Sequence, residues 1–293
     1  MTAPAHLNGA IAKLVAGEPV FASFSPADAG NAQAFAGGPY DAVVFEMEHN
    51  PFSTRELRDS LQYLLDRAQI VQRGDVSPAV TPFVRVPANG SEMNQWLAKQ
   101  VLDAGVYGVI FPHVSTVDEA RNAVGACRYP RPESAERYDP PGLRGDGPFG
   151  AARYWGVDVA EYYRRADTWP LAPDGDVLAV IMCEEVKAIR NLPKMLEQVP
   201  GIGLVLIGEG DLSQDLGHPR EYDNPEVEAA IAEVVAICAD AGVPAGIPHV
   251  TPGNVTKRLE QGFRWLMPNP TRSNQAVEIG QKWLADRDAR AAT

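Results

Sequence analysis

Cysteine is scarce in this 293-residue chain. Cys127, Cys183 and Cys238 are odd in number, widely spaced and outside any C-x-x-C pair, which fits small core residues in a reducing cytosol. Long apolar runs are missing: none approaches the roughly 20 residues of a membrane span. The N-terminal Met1-Thr2-Ala3-Pro4-Ala5-His6 has no basic region leading into an apolar core, so no signal peptide is expected and the predicted location is cytoplasmic. Basic residues are outnumbered, 26 against 38 acids for a net charge of -12, which argues against nucleic acid or an anionic membrane as partner. No G-x-G-x-x-G follows the first apolar run, so a dinucleotide-binding fold is disfavoured. What remains, 45% hydrophobic and 22% charged residues, is ordinary for a soluble globular enzyme.

Short apolar runs alternate with longer amphipathic stretches. Eight runs read as strands: Val20 to Phe24, Ala42 to Met47, Pro82 to Val86, Gly108 to Phe111, Val177 to Cys183, Gly203 to Ile207, Pro244 to Ile247 and Arg264 to Met267. Helices are expected over Asp28 to Phe35, Thr54 to Arg67, Glu92 to Ala104, Val117 to Cys127, Lys187 to Val199, Pro225 to Ala241, Pro252 to Gln261 and Ser273 to Asp286, with a short one at His6 to Ala16 closing the floor. Ser53, Thr116 and Asn224 are placed to cap helix starts, and Gly105, Gly242 and Gly262 to end helices just before a strand. Eight β/α units predict one α/β domain over residues 1–293, a TIM (β/α)8 barrel. The connection from Arg128 to Asp176 breaks the rhythm. It is rich in Pro, Gly, Arg and aromatic residues and is expected to form a loop or arm insertion, a lid or an interface element.

In such a barrel the strands' C-terminal ends carry the site. There the chain places Glu46, Glu48 and His49 on strand two, Arg85 on three, His113 after four, Met182, Glu184 and Glu185 on five, Gly208, Glu209, Gly210 and Asp211 on six, and His249 on seven. Two carboxylates on adjacent strands, Glu184 and Asp211, suit a divalent metal, Mg2+ or Mn2+, with Co2+ or Zn2+ as further candidates. Alternately, Glu184 could favour a helix dipole and Asp211 could cap a turn. Arg85 stands in an apolar strand and needs an anionic partner, either the carboxylates or a substrate. The doublets Glu184/Glu185 and Glu46/Glu48 are each expected to split, one side chain in and one out. A metal held by two carboxylates keeps open positions for the keto and carboxylate oxygens of a 2-oxo acid, Arg85 could stabilise an enolate oxygen, and His49 could move protons. That set describes a metal-dependent aldolase joining or cleaving a 2-oxo acid such as pyruvate and an aldehyde. No lysine ends a strand, which disfavours a Schiff base.

Phe45-Glu46-Met47-Glu48-His49, Val84-Arg85-Val86-Pro87-Ala88-Asn89, Leu102-Asp103-Ala104-Gly105, Arg128-Tyr129-Pro130 and Ile207-Gly208-Glu209-Gly210-Asp211-Leu212-Ser213 occur in an order that resembles the HpcH/HpaI aldolases, class II pyruvate aldolases related to 4-hydroxy-2-oxoheptanedioate aldolase. The resemblance spans about residues 15 to 280. It implies a barrel whose C-terminal helix is exchanged between subunits of a homo-oligomer, usually a hexamer built as a trimer of dimers. It implies Glu184 and Asp211 as metal ligands, His49 as catalytic histidine, Arg85 at the keto oxygen, and the Gly208–Asp211 backbone at the pyruvate carboxylate. It also implies a catalytic role for Asp103, which by its place at the end of the third main helix could reach only a neighbouring subunit's site. Four positions depart from the family pattern: Met182 for Gln, Glu46 for Asp, Gly208-Glu209-Gly210-Asp211 for Gly-Pro-Ala-Asp, and a more polar Pro248-His249-Val250. Glu46, Met182, Gly208, Glu209 and Gly210 are read as substrate-binding, together with His113 and His249, each of which could equally be a structural contact. The aldehyde is read as one other than succinic semialdehyde, with the aromatic insertion and the extra histidines pointing to an aromatic one. A CoA-ester lyase of the malyl-CoA or citrate-lyase β type, and a non-catalytic oxo-acid-binding barrel, remain alternatives.

Overall fold

The computed structural model describes residues 6–268 and 274–291. Eight parallel strands close on themselves: β1 (Val20–Ser25), β2 (Ala42–Glu46), β3 (Thr81–Arg85), β4 (Gly108–Phe111), β5 (Val177–Cys183), β6 (Leu204–Ile207), β7 (Ala245–Val250) and β8 (Trp265–Pro268). Closure comes from pairing of β8 with β1 and of β4 with β5, so the architecture is the expected TIM barrel surrounded by helices. All eight strands lie where the apolar runs predict them, seven within a residue at each end and β7 running three residues past Ile247 to Val250.

Strand alternation sorts the apolar side chains into two cores. Val20, Ala22, Val44, Phe83, Ile110, Leu178, Val180, Leu204, Leu206 and Trp265 fill the barrel, with Phe83 edge-on to Trp265 at 5.1 Å. Ala10, Ile11 and Leu14 of the helix Gly9–Val15 join that inner cluster. The Asn8 side chain caps this helix and donates to the carbonyls of Tyr107 and Asp176, which pins it across the barrel floor as expected. A second, larger cluster lies between strands and helices.

The capping residues act as the sequence suggests. Ser53, Thr116 and Asn224 accept from backbone N–H groups of the first turn, and Gly105, Gly242 and Gly262 hold positive φ. Two expected helices are interrupted. Thr54–Leu64 gives way to a separate Arg67–Arg73, capped by Asp66. The stretch predicted from Glu92 forms a turn at Asn89–Glu92 and a helix at Gln95–Ala104, separated by Met93 in left-handed backbone. The last helix is described over Gln275–Ala291, and its predicted start at Ser273 lies outside the described residues. Gly280 sits where a Cβ would lie 2.5 Å from the Phe21 ring of its own barrel.

The insertion at 128–176 folds onto its own barrel. It forms helices Phe149–Trp155 and Val159–Arg165 and a two-residue strand, Thr168–Trp169, beside β5. Trp155 is buried, stacks on Tyr107 at 4.3 Å and donates from its indole nitrogen to the Gly105 carbonyl. Buried Arg128 donates to Asp167 at 2.6 Å. These contacts fall at the strands' N-terminal ends, away from the catalytic rim. Among the described residues, no helix is long and apolar enough to cross a membrane.

Candidate active site

Register builds the site. β2 and β3 align Glu46 with Arg85, so a carboxylate and a guanidinium emerge side by side. Arg85 donates from Nε and reaches with Nη2 to Glu46 Oε2, both at 2.5 Å, and its Nη1 lies 3.0 Å from Glu48 Oε2. The other Glu46 oxygen accepts from the backbone N–H groups of Glu48 and His49 at 2.7 and 2.9 Å, which fixes the turn carrying the histidine. The guanidinium also lies 4.5 Å from the centre of the Phe24 ring. Arg85 is thus held on three sides. The expected split of Glu46 and Glu48 is not found: residues two apart point the same way, and both converge on Arg85. Glu184 and Glu185 do split, one buried and one half-exposed.

β5 and β6 align Cys183 with Ile207, which brings Glu184 beside Gly208. The contact is so close that a Cβ at Gly208 would lie 2.3 Å from Glu184 Oε2. Glu184 Oε1 accepts from the His113 backbone N–H at 2.5 Å. Burial pushes the Glu184 carboxyl up to about 7; the His113 N–H and imidazole oppose this, while the charges of Glu48 and Asp211 add to it. Glu48 is raised as well, first by burial, with Arg85 opposing.

Above these groups opens a cavity of about 320 Å3, lined by His49, Arg85, Met182, Gly208, Glu209, Gly210, Asp211 and His249 of the predicted residues. The Met182 sulfur stands 3.9 Å from Arg85 Nη1. His49 is largely exposed, with Nε2 3.6 Å from Glu48 Oε2. Glu46, His113 and Glu184 do not line the cavity; Glu184 is buried behind Gly208 of its wall. Glu46 braces Arg85, and the His113 ring sits among Glu48, Glu184 and Glu185 at 3.5–3.6 Å. Asp103 is elsewhere: it accepts from Arg144 at 2.8 Å and borders a separate surface pocket with Arg58, Arg153 and Tyr154. No residue of the aromatic insertion lines the active-site cavity among the described residues, which removes its support for an aromatic aldehyde.

Sequence reasoning missed Phe24, Gln214, Arg220, Tyr222 and Pro248 in the lining. Gln214 belongs to the short helix Glu209–Asp215, and Arg220 and Tyr222 to the connection that follows it. The signal was available, because a connection after a barrel strand's C-terminal end lies on the catalytic rim.

The residues fit a divalent cation. Among the described residues no group of three or more His, Cys, Asp or Glu is arranged to hold a metal. A cation would therefore rest on Glu184 and Asp211, with water or substrate completing its shell. Burial first, with smaller contributions from the Glu48 and Asp211 carboxylates, raises Glu184 to about 7, and a positive charge beside it would offset that cost.

Comparison with known proteins bears on this arrangement. The model of the family described as HpcH/HpaI aldolase/citrate lyase matches residues 22–264. A hydroxypyruvate/pyruvate aldolase of Roseobacter denitrificans is 28% identical over 284 residues, covering 96% of this chain and 98% of that protein. A 2-keto-3-deoxy-L-rhamnonate aldolase of Klebsiella pneumoniae is 31% identical over 235 residues, covering 80% of this chain and 76% of its own. A crystal structure of an HpcH/HpaI aldolase/citrate lyase family protein from Burkholderia cenocepacia superposes with a TM-score of 0.70 at 27% identity, over 94% of this chain and 95% of that one.

Proposed function

The chain belongs to the HpcH/HpaI aldolase/citrate lyase family, and from that premise we propose that it is a divalent-metal-dependent aldolase that cleaves or forms 4-hydroxy-2-oxo acids through a pyruvate-type enolate. The coarser part, an aldolase or lyase acting on small 2-oxo acids, follows from its relatives. The observation that carries the finer reading is that Arg85, braced by Glu46 and Glu48, and Asp211 line one small cavity, with Glu184 buried directly against Gly208 of its wall.

Glu184 and Asp211 would hold the cation, which when bound supplies Lewis-acid polarisation of the substrate's keto group. Arg85 is the chain's own electrophile. Its guanidinium is fixed before substrate arrives, so it can stabilise charge developing on the keto oxygen without reorganising. Glu46 orients Arg85 and the turn bearing His49. His49 is exposed enough to exchange protons with solvent, which suits it to move a proton at the substrate's C4 hydroxyl. The backbone of Gly208–Asp211 lines the cavity on the metal side, where the substrate carboxylate would lie. Asp103 has no route to this cavity within its own chain, so its role would be in a neighbouring subunit of a homo-oligomer. Exposed Trp96, Leu143 and Phe149 offer apolar surface for such an assembly.

Of the alternatives, a CoA-ester lyase is disfavoured because the cavity's cationic side chains are only Arg85, already paired, and Arg220 among the described residues. The test is pyruvate release from 4-hydroxy-2-oxo acids with and without chelator, and with Glu184→Ala. Loss of activity in both arms is expected, and activity indifferent to either overturns the reading.

A further inference from the structure

We infer that His249 is a specificity residue that binds a hydroxyl group on the aldehyde half of the substrate, with Glu209 fixing the ring for that task. The inference rests on the aldolase reading above and names the partner for the same cavity.

β7 is buried at every position except His249. The pairing of β7 with β8 slips between Ile247 and Val250, and His249 takes a left-handed backbone, φ 52°. Residues with a Cβ adopt that conformation uncommonly. A strand irregularity of this kind re-aims a side chain, and here it turns the imidazole into the cavity. The ring lies face to face with Tyr222, centroids 4.8 Å apart and planes 13° from parallel. Its Nδ1 is 3.0 Å from Oε1 of buried Glu209. Arg258, also buried, stands 3.9 Å from the other Glu209 oxygen. Stack and carboxylate together leave the ring one orientation.

That orientation decides the chemistry. A carboxylate only accepts hydrogen bonds, so the neutral ring carries its proton on Nδ1 and offers the lone pair of Nε2 to the cavity. An acceptor nitrogen pairs with a hydroxyl donor and not with a carboxylate, a sulfonate or an alkyl chain. His249 shares its cavity with Arg85 and Asp211, so it lies within reach of the portion of a ligand that extends past the 2-oxo acid. Glu209 and His249 are also two of the positions that depart from the family pattern, and the structure makes them each other's partner.

The experiment compares glycolaldehyde, propionaldehyde (methyl in place of hydroxyl, nearly the same size) and succinic semialdehyde as acceptors in aldol addition of pyruvate. The quantity read is the ratio of kcat/KM for glycolaldehyde to that for propionaldehyde, so a folding defect that lowers both cancels. His249→Leu is expected to lower this ratio about tenfold, the worth of one neutral hydrogen bond. His249→Gln, whose amide oxygen can accept, is expected to recover part of it. A ratio unchanged in His249→Leu, or a wild-type preference for succinic semialdehyde that the same substitution removes, overturns the inference. Exchange of the pyruvate methyl protons in D2O is followed alongside in the wild type. Exchange with an unaltered ratio defeats the inference alone; no exchange and no addition to any aldehyde defeats the aldolase reading and the inference with it.

Discussion

Gly208→Ala isolates the packing that holds the metal-side carboxylate. Gly208 has φ -91°, which alanine adopts without strain, so any penalty is steric. The added Cβ would lie 2.3 Å from Glu184 Oε2, 2.6 Å from its Cβ and 3.1 Å from its Cδ. Carbon atoms rest about 3.5–4.0 Å apart, so the Glu184 side chain must move on the order of 1 Å from its root, not merely rotate at its tip. Its freedom to do so is small, because Oε1 is held by the His113 N–H and the side chain is buried. Forced overpacking of this kind costs about 1–3 kcal/mol. If a similar amount is lost from cation binding, affinity falls by about 5- to 150-fold, since 1.4 kcal/mol is one decade. Mn2+ titration by calorimetry at pH 8, with thermal melts in chelator, measures both effects. Gly210→Ala is the control, because its nearest neighbour beyond the adjoining residues, the Tyr222 hydroxyl, is 3.9 Å away. A Gly208→Ala protein that binds Mn2+ within about twofold of wild type and melts with it, or a Gly210→Ala protein equally damaged, would show that this close approach does not position Glu184.

Three further perturbations read other parts of the molecule. Burial holds Glu184 protonated up to about 7 in the metal-free protein; a cation must displace that proton, so Mn2+ affinity is expected to rise from pH 5.5 to 7.5 and then level, with proton release in calorimetry below the midpoint, and a flat profile would contradict the assignment. Glu46→Ala leaves Arg85 with Glu48 alone and frees two backbone N–H groups; breaking a buried pair costs about 3 kcal/mol, to be read in urea denaturation, and a loss under about 1 kcal/mol would mean that Glu46 is not the brace. Trp155→Ala removes a buried ring stacked on Tyr107 and should cost about 3–5 kcal/mol, while kcat of the folded fraction changes little; a large fall in kcat with normal stability would instead give the insertion a part in catalysis.

The barrel was legible because its period is simple. Runs such as Val177 to Cys183 are apolar at every position, which only a strand covered on both faces requires, and glycines such as Gly105 and Gly242 mark where helix hands over to strand. Placing strand ends then placed Arg85, Glu184, Asp211 and His249 on one rim. The contacts among them were less legible, because they depend on register between strands distant in sequence. Nothing in the order Glu46-Met47-Glu48 announces that both carboxylates serve one guanidinium, that of Arg85, on the next strand. Their spacing of two does require a common face, so the mistaken split came from treating the pair as adjacent. The insertion failed for a different reason. Aromatic content says that rings will be buried but not against what, and Trp155 finds Tyr107 and the Gly105 carbonyl on its own barrel. The Glu209–His249 pair lies between these cases. Each residue stood out alone at a strand end, but only closure of β6 against β7 turns two isolated polar residues into one oriented imidazole. Where a chain leaves its family's pattern at two positions, their proximity in space is thus a stronger guide to what changed than either residue read singly.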